Sequence, residues 1–288
     1  MTVEIFKPSA PLSDLIDHYL LVDINWATET GLANIWRLIP YGQVSMLFLY
    51  GDPHEYSMKS ATEAMHYTSR AFMVGPLTQP IWLKFSGHTR LIKIQFKSSG
   101  AQHFLPVNME QFRNVPNLDL EMLWGNAVKN LLRQIEASHS DVERILTLND
   151  FLEKRRLPQS PLIDYVDYTI QQIKATNGNL SINQLEHKLG IGTRQLERLF
   201  RTKMGLSAKE MCKMIRLNFA FSSLQLEPDL SLTSLSYDAG YYDQSHFNKD
   251  FKSLTGLNPS KLLSKNSKEL FVTHGACFVK QKSHKMLA

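Results

Sequence analysis

Apolar and polar positions in the first hundred residues alternate in short runs separated by Gly, Pro, Asn and Ser, the pattern of strands and turns. The runs predict strands over 3–6, 19–26, 34–39, 44–50, 71–74, 81–85 and 89–96. Alternation is clearest at 91–96, where Ile92, Ile94 and Phe96 share one face and Lys93 and Gln95 the other. Strands this short at this spacing predict a β-sandwich or an open barrel. From Ser98 the period becomes helical. Met122, Leu123, Val128, Leu131, Leu132 and Ile135 form one amphipathic segment over 119–137; Val142, Ile145, Leu146, Leu148, Phe151 and Leu152 form the next. The first of these is expected either to cover the sheet or to make a dimer contact, and Asp14 and Asp17 are expected on a solvated helix face. Pro158 to Pro161 then interrupts the pattern before a helix predicted over 162–174, and Asn177-Gly178 marks a further turn.

Beyond residue 178 one pattern occurs twice. Leu185 is followed five positions later by Gly190, and Leu235 by Gly240, as where a short helix ends in a left-handed residue. Apolar residues then recur at helical spacing: Leu196, Leu199 and Phe200 in the first copy, Phe247 and Phe251 in the second. Glycine follows the last aromatic by five residues in both copies, at Gly205 and Gly256. A single copy is what any small helical pair produces; two in register are not. Each second helix is thereby pinned on one face. The other face carries Thr193, Arg194, Glu197, Arg198 and Arg201 in copy one, and Asp243, Gln244, Ser245, His246, Asn248, Lys249 and Lys252 in copy two. These side chains can reach base edges or phosphates in a major groove.

Charge follows the same division. Residues 1–177 hold 16 Lys and Arg against 18 Asp and Glu, whereas residues 178–268 hold 13 against 8. An excess of +5 is ordinary for a soluble domain, but its placement on the repeat fits phosphate contact.

The repeat, and above all the stretch from Gly240-Tyr-Tyr-Asp-Gln-Ser-His-Phe247 to Gly256-Leu-Asn-Pro259, resembles the AraC/XylS family of bacterial transcription regulators over roughly residues 165–264. The resemblance implies two helix-turn-helix units joined by a long helix over 207–226, with Met211, Ile215 and Phe219 on one side and Glu227-Pro228-Asp229 ending it. It implies that helices 193–203 and 243–254 enter major-groove segments about one turn apart. By position, Arg194, Glu197 and Arg198, then Gln244, Ser245, His246 and Lys249, are base-facing, with Thr193 and Asp243 beside them; Arg201, Lys203, Arg216 and Lys252 fall to phosphates. RNA polymerase is a partner implied by the family, with transcription activation as its usual output.

Two departures accompany it. Glu186 stands where the family has alanine and is expected to pair with Lys188 or Arg194, because an unpaired buried carboxylate is costly. Gly192-Thr193 replaces serine at the helix start, either residue serving as N-cap. The arginines lie in copy one while Asp243 and Asp250 dilute copy two, so copy one is expected to supply most of the charge-driven affinity.

Val74-Gly-Pro-Leu-Thr-Gln-Pro80 and Phe85-Ser-Gly-His-Thr-Arg90 look like the sensor-type N-terminal domain of a subset of the same family, over roughly 35–155. This implies a domain that binds a small-molecule effector or forms a homodimer. Trp26, Trp36, Trp82, Tyr41 and Phe85 are candidate cavity walls, with Arg37 or Arg90 to meet an acidic effector; aromatic residues on strands are more often plain core. The ligand-binding candidates are therefore Trp36, Arg37, Trp82 and Arg90.

Other chemistry finds little support. Only Cys212 and Cys277 are present, and His54, His66, His88 and His103 lack metal-ligand spacing. No nucleophile elbow, phosphate loop or dinucleotide fingerprint occurs. No enzyme activity, metal or cofactor is expected. Without a leader pattern or an 18-residue apolar run, the expected location is the cytoplasm, off the membrane. The expected architecture is α+β: an N-terminal β-sandwich or open-barrel domain with flanking helices (1–157), an all-α double helix-turn-helix domain (162–264) and a tail (265–288) whose 271–279 segment is apolar enough to dock as a strand. The competing reading is a small-molecule sensor with weak or lost DNA binding.

Overall fold

The structure, a computed structural model, describes residues 1–30, 33–97, 99–105, 107–157, 165–226, 230–259 and 270–272. The expected linker at 158–161, the Glu227-Pro228-Asp229 stop and all but two residues of the 271–279 segment lie outside them.

The N-terminal half runs through β1 (Thr2–Phe6), β2 (Ile16–Asn25), β3 (Ile35–Leu38), β4 (Ser45–Leu49), β5 (Glu55–Ser57), β6 (His66–Tyr67), β7 (Ala71–Val74), β8 (Ile81–Lys84), β9 (His88–Phe96) and β10 (Leu118–Asp119). Helices α1 (Glu121–Trp124), α2 (Asn126–Ala137) and α3 (Asp141–Glu153) follow. One sheet has the order β1-β2-β9-β4-β7-β10. The other has β3-β8-β5-β6, extended at the β3 edge by β11 (Leu270–Val272) from the chain's far end. All pairings are antiparallel except that of β11, which runs parallel with Leu270 opposite Trp36.

The six-stranded sheet is the middle of three layers, and the alternation of its strands sorts the core. Tyr19, Met46, Phe48, Met73, Ile92 and Ile94 face α2 and α3, meeting Val128, Leu131, Ile135 and Leu148. Val22, Ile24, Leu49, Phe72 and Leu91 face the second sheet, with Trp26 and Trp36 against them. Burying each such side chain stabilises by about 1.5–3 kcal/mol. The polar side of β9 is therefore largely covered, Lys93 partly and Gln95 fully: Gln95 accepts from the Tyr41 hydroxyl at 2.9 Å and donates Nε2–H to Gln43 Oε1 at 2.7 Å. A buried hydrogen bond from the Tyr19 hydroxyl to Asn149 Oδ1, 2.6 Å, fixes α3 on the sheet.

Several expectations are corrected. The segment 119–137 is broken: Leu118–Asp119 pairs with β7, α1 is a single turn, and Gly125 at φ 56° separates it from α2. Met122 is consequently 80% exposed and lies outside the buried stripe, as do Val142 and Leu146 on α3. Asp14 and Asp17 are not on a helix; a three-residue turn at Ala10–Leu12 leads into β2, whose strand pattern already contains Asp17. Strands β5, β6 and β10 went unexpected because two or three residues are too few for a period to register.

The C-terminal half comprises α4 (Tyr165–Ala175), α5 (Ile182–Leu189), α6 (Thr193–Met204), α7 (Ala208–Leu226), α8 (Leu232–Asp238) and α9 (Gln244–Thr255). Copy one is α5-α6, copy two α8-α9, and α7 joins them. The local physics repeats with the sequence. Ser181 and Ser231 cap α5 and α8 by accepting from Gln184 and Ser234 N–H groups. Gly205 and Gly256 end α6 and α9 in left-handed conformation. Phe200, Leu206, Leu217, Phe221, Leu235, Phe247 and Phe251 close one core, which Ile39 of the N-terminal half also joins.

Glycine 205 is doubly constrained. It holds φ +66°, and a Cβ there would lie 2.6 Å from the Met109 carbonyl oxygen and 2.4 Å from Pro76 Cγ; at Gly190, φ +63°, a Cβ would meet nothing within 4 Å. Gly190→Ala should therefore cost about 1–2 kcal/mol, the left-handed penalty alone. Gly205→Ala should cost more and open the contact between the halves. Urea unfolding and limited proteolysis of both variants test this, and equal losses with equal protease resistance would refute it.

Candidate nucleic-acid interface

Helix α6 buries Leu196, Phe200 and Met204, a three- and four-residue stripe that fixes its rotation. Arg194, Glu197, Arg198 and Arg201 fall at i, i+3, i+4 and i+7 on the outward side, one continuous face. Gly192 is the N-cap, with no side-chain bond, which leaves Thr193 as the first helical residue. Its hydroxyl donates to Glu186 Oε2 at 2.6 Å. Glu186 is thus satisfied by Thr193 and not by Lys188 or Arg194: the start of α6 packs on α5, bringing the hydroxyl to the buried carboxylate.

Helix α9 buries Phe247, Phe251 and Leu254, stacked on Phe221 of α7 at 5.2 Å between the Phe221 and Phe251 rings. Ser245, His246, Lys249 and Lys252 are exposed. Of the two aspartates expected to dilute this surface, Asp243 is exposed and caps the helix, whereas Asp250 is engaged inward. Asp243 Oδ1 accepts the His246 backbone N–H at 2.7 Å as N-cap, and Asp250, 8% exposed, accepts from Lys213 Nζ of α7 at 2.9 Å. Gln244 is half-buried, tied to Thr233 of α8 at 3.2 Å. Lys203 is half-buried too, and Arg216 lies half-buried with its guanidinium 4.7 Å from the Tyr241 ring centre.

On copy one the arginine charge is partly engaged. Arg201 pairs with Glu197 at 3.1 Å on its own helix and with Glu110 at 3.3 Å. Glu110 belongs to the one-turn helix Met109–Phe112 of the N-terminal half and borders the same groove as Arg194, Glu197, Arg198, Arg201 and Thr202. Beside it Arg113 reaches Glu210 of α7 with both terminal nitrogens, at 3.0 and 2.5 Å, and Gln102 Nε2 donates to the Thr202 carbonyl at 2.9 Å. Burial alone would raise the Glu210 carboxyl, but Arg113 and the Ser207 amide and hydroxyl outweigh it and hold it down at about 2. Glu110, Arg113 and Lys213 carried no signal in the sequence, since their partners lie 37 or more residues away; Glu210 shares a capping box with Ser207, three residues before it, but its Arg113 partner is 97 residues away.

The N-terminal half contains a cavity of about 160 Å³ between its sheets. Trp36, Tyr41 and Phe85 line it. The other ligand candidates are placed elsewhere. Arg37 donates to the Thr255 carbonyl at 3.1 Å and stacks on Trp82 at 4.8 Å, joining β3 to the end of α9; Arg90 donates to the Tyr50 carbonyl at 3.1 Å.

Two family models match the chain: a helix-turn-helix domain over residues 185–265 and a domain of unknown function, DUF6597, over residues 4–116. The chain carries an AraC-family helix-turn-helix domain behind a DUF6597 domain. The AraC-type region is 32% identical over 98 residues to the Msm operon regulatory protein of Streptococcus mutans, covering 34% of this chain and 35% of that protein. It is 36% identical over 73 residues to the HTH-type transcriptional regulator GlxA of Rhizobium meliloti, covering 25% and 22%. The chain thus spans about a third or less of the length of these relatives. Among solved structures, ToxT from Vibrio cholerae is similar over 85% of this chain and 97% of that one, at 13% identity and a TM-score of 0.45.

The clasp between the DUF6597 and AraC-type domains has a pH signature. A carboxylate held below its unfolded value contributes stability that is complete above that value, 4.5, and is lost as pH falls toward about 2. The stability gap between wild type and Glu210→Gln should be full at pH 7 and shrink below pH 4.5. Denaturant titrations at pH 7, 4 and 3 check it, and a constant gap would contradict it.

Proposed function

We propose that the protein is a sequence-specific, DNA-binding transcription regulator whose N-terminal domain responds to a small-molecule effector. The observation that carries this reading is the repeated pair of second helices, each held by a buried aromatic stripe and each presenting a polar or cationic face. The net charge of +5 over 178–268 supports it, as do the regulatory relatives matched by the same region.

The roles within the interface follow from chemistry. Arg198, exposed at mid-helix on α6, is suited to a bidentate contact with guanine; Lys252, at the end of α9, is suited to a phosphate. Arg198→Ala should cost about 1–3 kcal/mol of discrimination at one operator position. Lys252→Ala should weaken all duplexes alike and flatten the logarithmic salt dependence by about 0.9. Selection of a binding site from random duplexes, followed by titrations of both variants, tests this division; identical effects on selected and random duplexes would end it.

Glu110 gives the N-terminal domain a direct hold on the reading helix. Its carboxylate pairs at 3.3 Å with Arg201, which we assign to a DNA phosphate, so under this reading the domain contact and the duplex compete for one guanidinium. An exposed pair is worth about 1 kcal/mol or less, so Glu110→Gln should raise affinity for every duplex by up to about fivefold at low salt, without changing base preference. Unchanged or weaker binding in fluorescence anisotropy would remove Glu110 from the mechanism.

A further inference from the structure

Among the described residues, His54 is the buried polar side chain of the inter-sheet cavity wall that the fold leaves without a hydrogen-bond partner. The other buried polar side chains of that wall are satisfied within the protein. Ser45 and Tyr41 bond Gln95, Gln95 bonds Gln43, the Thr68 hydroxyl donates to the His54 carbonyl, and Thr89 accepts from Trp26. The His54 ring is 3% exposed, tilted against Phe72 at 5.9 Å and Phe85 at 4.9 Å, and its Nδ1 is buried with no hydrogen-bond partner. Burial pushes the imidazole down to about 4, so at neutral pH it is uncharged, one nitrogen a donor and the other an acceptor. A buried nitrogen without a partner costs stability that an apolar residue at the same place would not.

Volume and charge narrow what can satisfy it. A dry apolar cavity of roughly 150 Å³ accepts a benzene-sized molecule, and this one is about 160 Å³. Lys93 is the one charged side chain of the described wall, and its ammonium lies over the Tyr41 ring at 5.4 Å; no carboxylate is among the described lining residues. We propose that the cavity is a site for a small neutral aromatic molecule bearing one hydroxyl group, of the phenol class, with the ring among Trp36, Phe72 and Phe85 and the hydroxyl hydrogen-bonded to His54. The inference rests on the effector reading of the N-terminal domain and gives that effector a chemistry.

Binding of phenol, toluene and benzoate to the full chain, without DNA, tests it by calorimetry. Phenol should bind about two- to tenfold more tightly than toluene, the range of one net hydrogen bond, and should shift the His54 ring ¹⁵N resonances. His54→Leu should bring phenol and toluene level while leaving the protein at least as stable. Toluene matching phenol on the wild type, or His54→Leu keeping the preference, would overturn the role of His54; benzoate outbinding both would transfer recognition to Lys93 and overturn the neutral class. The phenol-to-toluene ratio and the ring resonances need no variant, so the test survives if His54→Leu fails to fold. Binding of phenol that leaves duplex affinity unchanged would defeat the effector reading and leave the site standing.

Discussion

The turn that closes α6 is pressed into the N-terminal domain, and the rest of the molecule is arranged around that contact. Gly205 has no room for a Cβ against Met109 and Pro76, Arg113 holds Glu210 at the start of α7, and Glu110 reaches Arg201 on the reading face. A second point of attachment lies at the other copy, where Arg37 of β3 bonds the carbonyl of Thr255 at the end of α9. Both helices expected to read DNA are thus anchored by their C-terminal ends to the DUF6597 domain. Exposed ion pairs contribute little each. Steric fit at Gly205 and the half-buried Arg113–Glu210 fork therefore carry most of the specificity of this contact.

The middle sheet connects that contact to the cavity. Alternate residues of β2, β4, β7 and β9 face the helical layer on one side and the second sheet on the other; across the cavity from them lies β3 of the second sheet, which carries Arg37 and leads into Ile39 and the loop at Gly42. Gly42 lies against Met211 and Met214 of α7, and Ile39 is part of the C-terminal core. Trp36 on the cavity wall and Arg37 at the α9 anchor are adjacent residues of β3 pointing to opposite faces. The proposed ligand site and the helix-turn-helix domain thereby meet on one strand, a physical route for coupling between them.

Much of this was legible in the sequence. Leu-to-glycine spacing located α5, α6, α8 and α9 to within a residue or two, because caps and buried stripes are local physics. Seven strands were legible from alternation and turn residues. What was not legible depends on distant partners. Alternation in β9 set Lys93 and Gln95 apart from Ile92 and Ile94, yet could not show that a second sheet covers them. Counting charges could not show that Asp250 is buried against Lys213, that Asp243 caps α9 while staying exposed, or that Arg201 is tied to two glutamates. Trp82, Arg37 and Arg90 look like ligand residues by type but are engaged in packing and backbone contacts, while His54 drew notice only as a poor metal ligand.

The central claim is that the DUF6597 domain and DNA compete for one face of α6. Amide hydrogen exchange with and without a specific duplex tests it most directly. The account predicts that the duplex slows exchange in α6 and α9 and at the same time speeds it in the turn at residues 109–113, as Glu110 and Arg113 lose their partners. Slowed or unchanged exchange at 109–113 while α6 becomes protected would contradict it.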